Sequence, residues 1–479
     1  MRVLSVASEI FPLIKTGGLA DVAGALPGAL RPHGIAMTSL LPGYPAVMVD
    51  LEQAKPLHHY ANLFGGPADV LQGRAKGLDV LVIDAPHLYD RSGNPYLGSD
   101  GKDWPDNAAR YAALSRVAAD VGLGYIGKEK YDILHLHDWQ AALAAVYVKY
   151  AASPAKKPKT IMTVHNIAFQ GVFPAFTFSS LGLPPHAYAV DGVEYYSNVS
   201  FLKGGLASAD AITTVSPTYA QEICTPDFGM GLDGLLRARR NQLSGIVNGI
   251  DTNIWNPETD PDIAKTYTVK KLADRTLNKR ALEKRLGLAA GDGPLHGVVS
   301  RLTGQKGLDM LAELLDWLVG TGARLALVGT GEPLIENAFR EAAQRHTGRI
   351  AASFKYDEGL SHLVQAGADT MLVPSRFEPC GLTQLYGLRY GCVPVVGRTG
   401  GLADTVIDAN DAALATTVAT GVQFSPITTT NLQAALIRTH NLYTDKSAWT
   451  AIQKSGMSQD VSWNRSAKIY AHLYQSITK

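Results

Sequence analysis

The chain contains little cysteine, almost no net charge and no long hydrophobic run. Its 479 residues include only Cys224, Cys380 and Cys392, with no CxxC spacing, so we expect neither a disulfide framework nor a structural zinc site. The 44 Lys and Arg residues nearly balance the 43 Asp and Glu residues. A nearly neutral chain has no long-range attraction to nucleic acid, so we expect no nucleic-acid partner.

A segment that could enter a membrane is also missing from the sequence. The first residues, MRVLSVASEIF, include Glu9 and form too short an apolar stretch for a signal sequence. The longest apolar run, 141–148, is stopped by Lys149 well short of a membrane span. We therefore expect a cytoplasmic protein with no membrane partner.

The residues that are abundant favour a turn-rich α/β protein. Apolar residues make up 46% of the chain, which also has 47 Gly and 25 Pro, as in compact globular proteins. Short apolar runs alternate with Ala- and Leu-rich stretches, and this pattern predicts doubly wound parallel sheets with helices on both faces. These runs are RVLSVAS, LDVLVIDA, DILHLHD, TIMTVHN, AITTVS, LHGVVSR, RLALVGT, TMLVPS and VPVVG.

Two large domains fit the length, since a domain averages roughly 150 residues and large ones exceed 200. The segment NGIDTNIWNPETDPD is rich in Asn, Asp and Pro, which indicates a junction. We predict one domain over 1–245 and a second over 246–460. Gly-Gly-Leu-Ala-Asp occurs at 17–21 and again at 400–404, which favours two related halves.

Two glycine loops carry positive charge where a strand is expected to end. Lys15, Gly17 and Gly18 form the first, where backbone N–H groups at a helix start could contact an anion. An ordinary glycine turn is the alternative. In the second loop, Arg301 and Lys306 could bracket a diphosphate, because charge-assisted contacts contribute about 1.5–3 kcal/mol each.

Polar residues follow two further strands. Asp138 and His165 could share one crevice at the carboxyl ends of parallel strands. Trp139, beside a carboxylate, suits recognition of a sugar face, although it could equally belong to the core. His135 and His137 lack a third ligand at a diagnostic spacing, so we expect hydrogen bonds rather than a metal.

The stretch Pro374 to Gln384 joins a strand to a new helix near Gly381. Glu378 could stabilise positive charge or bind hydroxyl groups, and helix capping is equally open. Two weaker patterns lie elsewhere. GTGEPL at 329–334 is an incomplete GxGxxG that predicts a tight turn rather than a nicotinamide site, and the D-x-D at 260–262 is restrained by Pro261, so we discount it as a metal motif.

Eight motifs, in order and across almost the whole chain, resemble those of bacterial glycogen synthases and plant starch synthases. They are KTGGLADV, HLHDWQAAL, TVHNIAFQG, NGID, SRLTGQKGLD, LVGTGE, PSRFEPCGLTQLYGLRYG and RTGGLADTV. The resemblance implies a GT-B fold, with two Rossmann-like domains, a catalytic cleft between them and a C-terminal helix in 461–479 that returns to the first domain. It also implies retaining transfer of glucose from ADP-glucose to the non-reducing end of an α-1,4-glucan such as glycogen, with no metal or other cofactor.

The same resemblance assigns roles to individual residues. The implied catalytic residues are Arg301, Lys306, Glu378, His165 and Asp138. The implied donor-binding residues are Lys15, Gly17, Gly18, Asp21, Asn248, Tyr356, Cys380, Gly381, Leu382 and Thr383. Trp139 and Asn166 are implied for the acceptor. In this scheme Arg301 and Lys306 neutralise the departing diphosphate, Tyr356 stacks on adenine, and Cys380 is a neighbour rather than a nucleophile.

Three other functions compete with this interpretation. A glucan phosphorylase would need a pyridoxal cofactor, and the lysine context of that family is not found here. A nicotinamide dehydrogenase is disfavoured by the incomplete glycine motif. A sugar-binding protein without turnover would explain the α/β pattern. Such proteins are usually exported, and the first residues of this chain do not predict a signal sequence. Retention through a covalent carboxylate intermediate or through same-face attack stays open.

Overall fold

A computed structural model describes residues 1–152, 157–355 and 357–479. The chain divides into two compact units. Unit 1 comprises residues 1–248 and 463–479, and unit 2 comprises residues 249–462. Each contains a mainly parallel sheet with helices between its strands, so the expected two-domain, doubly wound α/β fold is confirmed.

The elements of unit 1 follow the alternation of strand and helix seen in the sequence. Its strands are β1 Arg2–Val6, β2 Ala36–Pro42, β3 Glu52–Tyr60, β4 Ala68–Ala75, β5 Leu78–Asp84, β6 Ile133–His137, β7 Lys159–Val164, β8 Val172–Pro174, β9 Glu194–Tyr195, β10 Asn198–Ser200, β11 Ala211–Thr214 and β12 Leu243–Gly245. Its helices up to residue 248 are α1 Gly18–Leu30, α2 Pro45–Val49, α3 Pro86–Tyr89, α4 Asn107–Gly122, α5 Asp138–Tyr150, α6 Phe201–Ser208, α7 Pro217–Glu222 and α8 Asp233–Ala238. Short 3₁₀ turns cover Arg31–His33, Ala175–Ser180, Pro185–Ala187 and Arg240–Gln242.

The large sheet of unit 1 has the strand order β12-β11-β7-β6-β1-β2-β5-β4-β3. Pairing is parallel from β12 to β5 and antiparallel from β5 through β4 to β3. The central strands β1, β6 and β7 are almost wholly buried, because helices cover both faces. The strand β3 is largely exposed and lies at the edge, where polar side chains limit pairing with other chains.

The elements of unit 2 start from the polar segment that follows residue 248. Its strands are β13 Leu295–Val299, β14 Arg324–Val328, β15 Ile350–Ser353, β16 Thr370–Val373, β17 Val393–Gly397 and β18 Val422–Phe424. Its helices are α9 Arg275–Leu286, α10 Leu308–Glu313, α11 Leu315–Gly320, α12 Pro333–Arg345, α13 Glu358–Gly367, α14 Thr383–Tyr390, α15 Gly400–Thr405, α16 Asp411–Ala415, α17 Thr429–Thr444 and α18 Lys446–Met457. Short 3₁₀ turns cover Val269–Asp274 and Gly304–Lys306.

The sheet of unit 2 is parallel throughout, in the order β15-β14-β13-β16-β17-β18. Its strands β14, β16 and β17 are fully buried, as their continuous apolar sequences predict. The loops that follow β13 and β16 leave the same edge of the sheet, and these are the loops that carry the predicted cations and Glu378.

The last helix, α19 Trp463–Thr478, belongs to unit 1. It packs its buried face, including Trp463, Tyr470 and Tyr474, into a core shared with helix α1. The Tyr474 hydroxyl also lies 2.7 Å from Nδ1 of the buried His135. The chain end is therefore an integral part of the unit 1 core.

None of the helices in the described ranges combines the length and the hydropathy that a membrane crossing requires.

Candidate functional site

In unit 2, Lys306 and Glu378 form a close ion pair. Lys306 Nζ donates to Glu378 Oε2 at 2.5 Å, and Ser375 Oγ donates to the same oxygen at 3.0 Å. The side chains are only 18% and 9% exposed. A partly desolvated pair is electrostatically stronger than a surface pair, so both groups are held in fixed positions.

Glycine makes this pairing possible. Gly307 has φ 68°, and a Cβ at that position would lie 2.0 Å from the carbonyl oxygen of Pro374. Only a residue without a side chain allows the loop after β13 to approach the loop after β16 so closely. The approach places Lys306 beside Glu378.

The loop that carries Arg301 is braced by the glycine turn at 329–332. Leu302 N–H donates to the Thr330 carbonyl at 2.8 Å, and Glu332 N–H donates to the Leu302 carbonyl at 2.7 Å. Gly331 is necessary because a Cβ there would lie 2.1 Å from the Leu302 oxygen. The incomplete GxGxxG pattern is therefore a turn that holds the cationic loop.

Arg301 itself is exposed. Within the described residues, its guanidinium forms no hydrogen bond or ion pair. The structure brings Lys306 and Glu378 together and leaves the Arg301 side chain available to a ligand from solution.

The segment that contains Glu378 is supported by the second Gly-Gly-Leu-Ala-Asp motif. Gly401 N–H donates to the Glu378 carbonyl at 3.1 Å, and a Cβ on Gly400 would lie 1.9 Å from the same oxygen. Cys380 is buried, as suits a neighbour rather than a nucleophile. In unit 2 the repeated motif therefore positions the segment that contains Glu378.

Gly381, Leu382 and Thr383 lead into helix α14, which begins at Thr383. Gly381 adopts φ 74°, and the Thr383 hydroxyl lies 3.4 Å from the Val299 carbonyl at the end of β13. The segment therefore presents the start of a helix next to the cationic loop, and first-turn N–H groups favour anions. Tyr356, expected to stack on adenine, lies outside the described residues.

In unit 1, Asp138 is a strained and buried carboxyl group. It has φ 54° and begins helix α5 directly after strand β6. It accepts the backbone N–H of His165 at 2.7 Å and also that of Asn166. Burial raises the pKa of Asp138 to about 7, with a further contribution from the nearby Glu9 carboxylate. Left-handed backbone at a buried acid is a feature of functional sites.

His165 ends a chain of buried hydrogen bonds. Its Nε2 lies 3.0 Å from His137 Nδ1, and His137 Nε2 lies 3.1 Å from Ser5 Oγ. His135 instead pairs with Thr163 Oγ1 at 2.6 Å. Burial holds the pKa of each histidine below its ordinary value. Hydrogen bonding by these histidines is confirmed, and a neutral His165 can bind a hydroxyl group.

The first glycine loop differs from the expectation in one respect. Lys15 Nζ pairs with Asp21 Oδ1 at 2.8 Å. The N–H groups of Thr16 and Gly17 donate to the carboxylate of Glu9, although the sequence predicted that the glycine N–H groups would contact an anionic ligand. Sequence reasoning missed Glu9 in this role, although a carboxylate within an apolar segment signals a buried partner.

Glu9 has two further donors, the Thr16 hydroxyl at 2.9 Å and the Tyr96 hydroxyl at 3.0 Å. Burial raises its pKa, and these hydrogen bonds oppose the rise. Helix α1 begins at Gly18, after the N–H groups that Glu9 occupies. Lys15 and the start of α1 are the parts of this loop that can still approach an anion.

The predicted acceptor residues lie beside Asp138. The ring of Trp139 is edge-to-face with Tyr111 at 4.9 Å and lies 5.8 Å from Phe173, so one part of it belongs to an aromatic core. Asn166 Oδ1 accepts the Ala168 N–H at 3.0 Å and shapes its own loop. Trp139 is partly exposed, so its position is compatible with both roles anticipated for it, core packing and recognition of a sugar face.

Two other sequence features have definite positions. Asn248, the last residue of unit 1 before the junction, is buried, and its Oδ1 has no hydrogen-bond partner within the described ranges. The carboxylates of Asp260 and Asp262 cluster with His362 in unit 2. Asp260 already accepts a hydrogen bond from the Tyr390 hydroxyl and lies 2.7 Å from His362 Nδ1. Asp260 and His362 are buried, whereas Asp262 is exposed, and sequence spacing alone did not reveal their contact.

Comparison with known proteins places these features in a family. Residues 2–238 match the family model described as starch synthase catalytic domain, and residues 280–425 match glycosyl transferases group 1. A glycogen synthase of Rhodopseudomonas palustris strain BisA53 is 58% identical over 478 residues, covering 100% of this chain and 97% of that protein. The chain belongs to the glycogen synthase family. A second member, from Novosphingobium aromaticivorans, is 56% identical and is covered to 99%.

Solved structures agree with this family assignment. The catalytic domain of starch synthase IV from Arabidopsis thaliana, bound to ADP and acarbose, superposes with a TM-score of 0.87 at 33% identity, with 99% of each chain covered. Sucrose-phosphate synthase from Thermosynechococcus elongatus superposes with a TM-score of 0.59 at 15% identity and supports the fold alone. The fold is therefore the GT-B fold that the sequence motifs implied.

Proposed function

We propose that this glycogen synthase family member transfers glucose from ADP-glucose to the non-reducing end of an α-1,4-glucan, with retention of anomeric configuration. The observation that carries the proposal is the Lys306–Glu378 pair, with the exposed Arg301 on the same loop as Lys306, within a chain 58% identical to a glycogen synthase. The starch synthase structure that this chain resembles is bound to ADP and acarbose, and its ADP supports ADP-glucose as the proposed donor.

Unit 2 supplies the groups that a departing diphosphate requires. Negative charge grows on the diphosphate as its bond to glucose breaks, and fixed cations stabilise that charge most effectively. Lys306 is fixed by Glu378, and Arg301 is free to engage phosphate oxygens in a bidentate manner. Thr383 and the start of helix α14 complete the proposed anion site. We assign adenine stacking to Tyr356.

Glu378 has a second task in this proposal. Its carboxylate holds Lys306 in position and lies where it can also accept sugar hydroxyl groups. Lys306 and Ser375 both donate to Oε2, which fixes the orientation of the carboxylate. We therefore assign Glu378 to donor positioning.

Unit 1 supplies the groups for the acceptor and the glucosyl ring. Asp138 is buried with a pKa near 7 and is oriented by two backbone N–H groups, and we assign it a hydrogen bond to a hydroxyl group of the sugar. His165, Asn166 and Trp139 add hydrogen bonds and an apolar ring face. With Asp138 and Glu378 both assigned to hydrogen bonding, we propose that retention proceeds by departure and attack on the same face.

The remaining donor-side groups are in the first loop and at the junction. We assign contacts with the donor phosphates to Lys15, with Gly17, Gly18 and Asp21 shaping the loop. Asn248 Oδ1, a buried acceptor without a described partner, suits a hydroxyl of the bound donor. The three cysteines are free thiols, which supports a cytoplasmic location.

The donor comparison tests the proposal. Labelled ADP-glucose and, separately, labelled UDP-glucose are incubated with the protein, glycogen and a metal chelator. We expect strong incorporation from ADP-glucose in the chelator and little from UDP-glucose. Incorporation that requires an added divalent metal, or none from either donor, would refute the proposed reaction.

A further inference from the structure

The hairpin of β9 and β10 in unit 1 presents two adjacent tyrosines. Tyr195 ends β9, and Tyr196 with Ser197 forms the two-residue turn at φ 47° and 62°. The two tyrosine rings meet edge to face with centroids 4.8 Å apart. Tyr196 is 76% exposed, so a large aromatic ring is held out into solvent at the tip of the hairpin.

The backbone of this turn is unfavourable for tyrosine. Two positive φ values define a type I′ turn, for which Asn-Gly is the preferred pair. A bulky residue persists in the left-handed region only where its surroundings hold it, and such strain concentrates at functional positions. Here Glu194 Oε1 accepts the Ser197 N–H at 2.7 Å, and Asn198 Nδ2 donates to the Tyr196 carbonyl at 3.2 Å. Stability alone does not account for Tyr196, which points to a use for its ring.

The base of the hairpin is anchored by a neighbouring loop. The hydroxyl of Tyr195 and the amide Nε2 of Gln170 both donate to the Met230 carbonyl at 2.9 Å. Met230 also has a left-handed backbone, with φ 49°, and is partly exposed. The hairpin is therefore a fixed support rather than a loose loop.

The small sheet that carries the hairpin packs on the candidate acceptor residues. Its strand order is β8-β10-β9, with Phe173 opposite Val199 and Pro174 opposite Asn198. The ring of Phe173 lies 5.8 Å from that of Trp139. The surface with Tyr196 is thus continuous, through one small sheet, with the residue next to Asp138.

The chemistry of this surface fits a neutral carbohydrate chain. Tyrosine offers a rigid ring with a polar tip, which contacts a sugar ring at low cost in conformational entropy. The charged residues between 187 and 200 are Asp191 and Glu194, both acidic. The Lys203 ammonium, which donates to the Val190 and Gly192 carbonyls, is buried, so this segment offers no exposed cation for nucleic acid or phosphorylated chains. An uncharged polymer of sugar rings fits both the exposed tyrosine ring and the charge of this segment.

We propose that the β9–β10 hairpin is a glucan-binding platform on which Tyr196 stacks against the acceptor chain away from its reacting end. The proposal rests on the proposed function, since it takes the acceptor to be an α-1,4-glucan. It gives the enzyme a preference for long acceptors, because a short oligosaccharide at the transfer site does not reach the hairpin.

The test compares long and short acceptors in variants at one position. Tyr196→Asn removes the ring and installs a residue that the turn prefers, so folding is not put at risk. We expect the ratio of kcat/KM for glycogen to kcat/KM for maltotriose to fall about threefold to tenfold, the range for loss of one aromatic contact. Tyr196→Trp keeps an aromatic ring at this position, so its ratio should be close to that of the wild type. Tyr125→Asn, which removes another exposed tyrosine of unit 1, should leave it as in the wild type.

Two results would overturn the platform. One is an unchanged glycogen-to-maltotriose ratio in Tyr196→Asn, and the other is an equal loss with both acceptors, which would place the effect at the transfer site. Native electrophoresis in glycogen-containing gels measures binding without turnover. If the wild type fails to use ADP-glucose, the proposed function fails, while weaker retardation of Tyr196→Asn than of Tyr125→Asn would still support the platform. Equal retardation of the two variants would refute it.

Discussion

Replacing Asp138 with asparagine should make unit 1 more stable relative to the wild type as the pH rises from acid to alkaline. In the folded protein, burial raises the pKa of Asp138 from its ordinary value of 3.8 to about 7. Between these values the unfolded chain has released a proton that the folded chain retains. Wild-type stability therefore falls as pH rises through this window. Asparagine cannot ionise and is free of this loss.

The size of the effect follows from the same two values. At about 1.4 kcal/mol for each pH unit, the difference between 3.8 and about 7 corresponds to about 4 kcal/mol. The part that falls between pH 5 and pH 8.5 is about 3 kcal/mol. The asparagine side chain of the variant would keep an oxygen for the His165 N–H, and any constant effect of its amide nitrogen cancels when one variant is compared at two pH values.

Hydrogen exchange in urea, read by mass spectrometry on peptides from β6 and α5, follows unit 1 separately from unit 2. This separation matters because a chain with two units need not unfold in one step. The unfolding free energy of Asp138→Asn minus that of the wild type should increase by about 3 kcal/mol from pH 5 to pH 8.5. A difference that is the same at both pH values would refute the assignment of a buried, proton-retaining Asp138.

Four further substitutions test other parts of the site and fold. Arg301→Ala and Lys306→Ala should each lower kcat by about 10²- to 10³-fold, by analogy with loss of an oxyanion donor; near-normal steady-state turnover in both would contradict the diphosphate role. Glu9→Ala should speed amide exchange at residues 16 and 17 by about tenfold or more, because two charge-assisted hydrogen bonds are lost; wild-type exchange rates would mean that other contacts hold the loop. Tyr474→Phe removes a buried hydrogen bond and should lower the unfolding free energy by about 1 kcal/mol without changing kcat; equal urea midpoints would count against it.

The buried parallel strands could be predicted because their apolar runs are continuous, as in TMLVPS and VPVVG. Strand β3, Glu52–Tyr60, could not be predicted because it is polar and exposed at a sheet edge. Its sequence therefore lacks the alternation of apolar and polar residues that indicates a half-buried strand. The short strands β8, β9 and β10 gave no signal either, since each has only two or three residues. Their pairing depends on contacts between distant parts of the chain.

In the candidate site, too, some residues could be predicted from the sequence and others could not. Lys306 and Glu378 were identifiable because their motifs follow predicted strands, and parallel strands bring such loops to one edge. Glu9 was missed because its partners, the N–H groups of a later loop, are fixed only by the folded backbone. The contact between Asp260 and His362 joins residues far apart in sequence, which spacing rules do not detect.

The linkage and position of the transferred glucose test the proposed reaction most directly. Glycogen labelled by the protein from ADP-glucose should be digested with an exo-acting α-1,4-glucan maltohydrolase, which works inward from non-reducing ends. Release of essentially all label as maltose would establish transfer to the non-reducing end with an α-1,4 linkage and hence retention. Label that resists this enzyme, or that is released only as free glucose or glucose phosphate, would contradict the account.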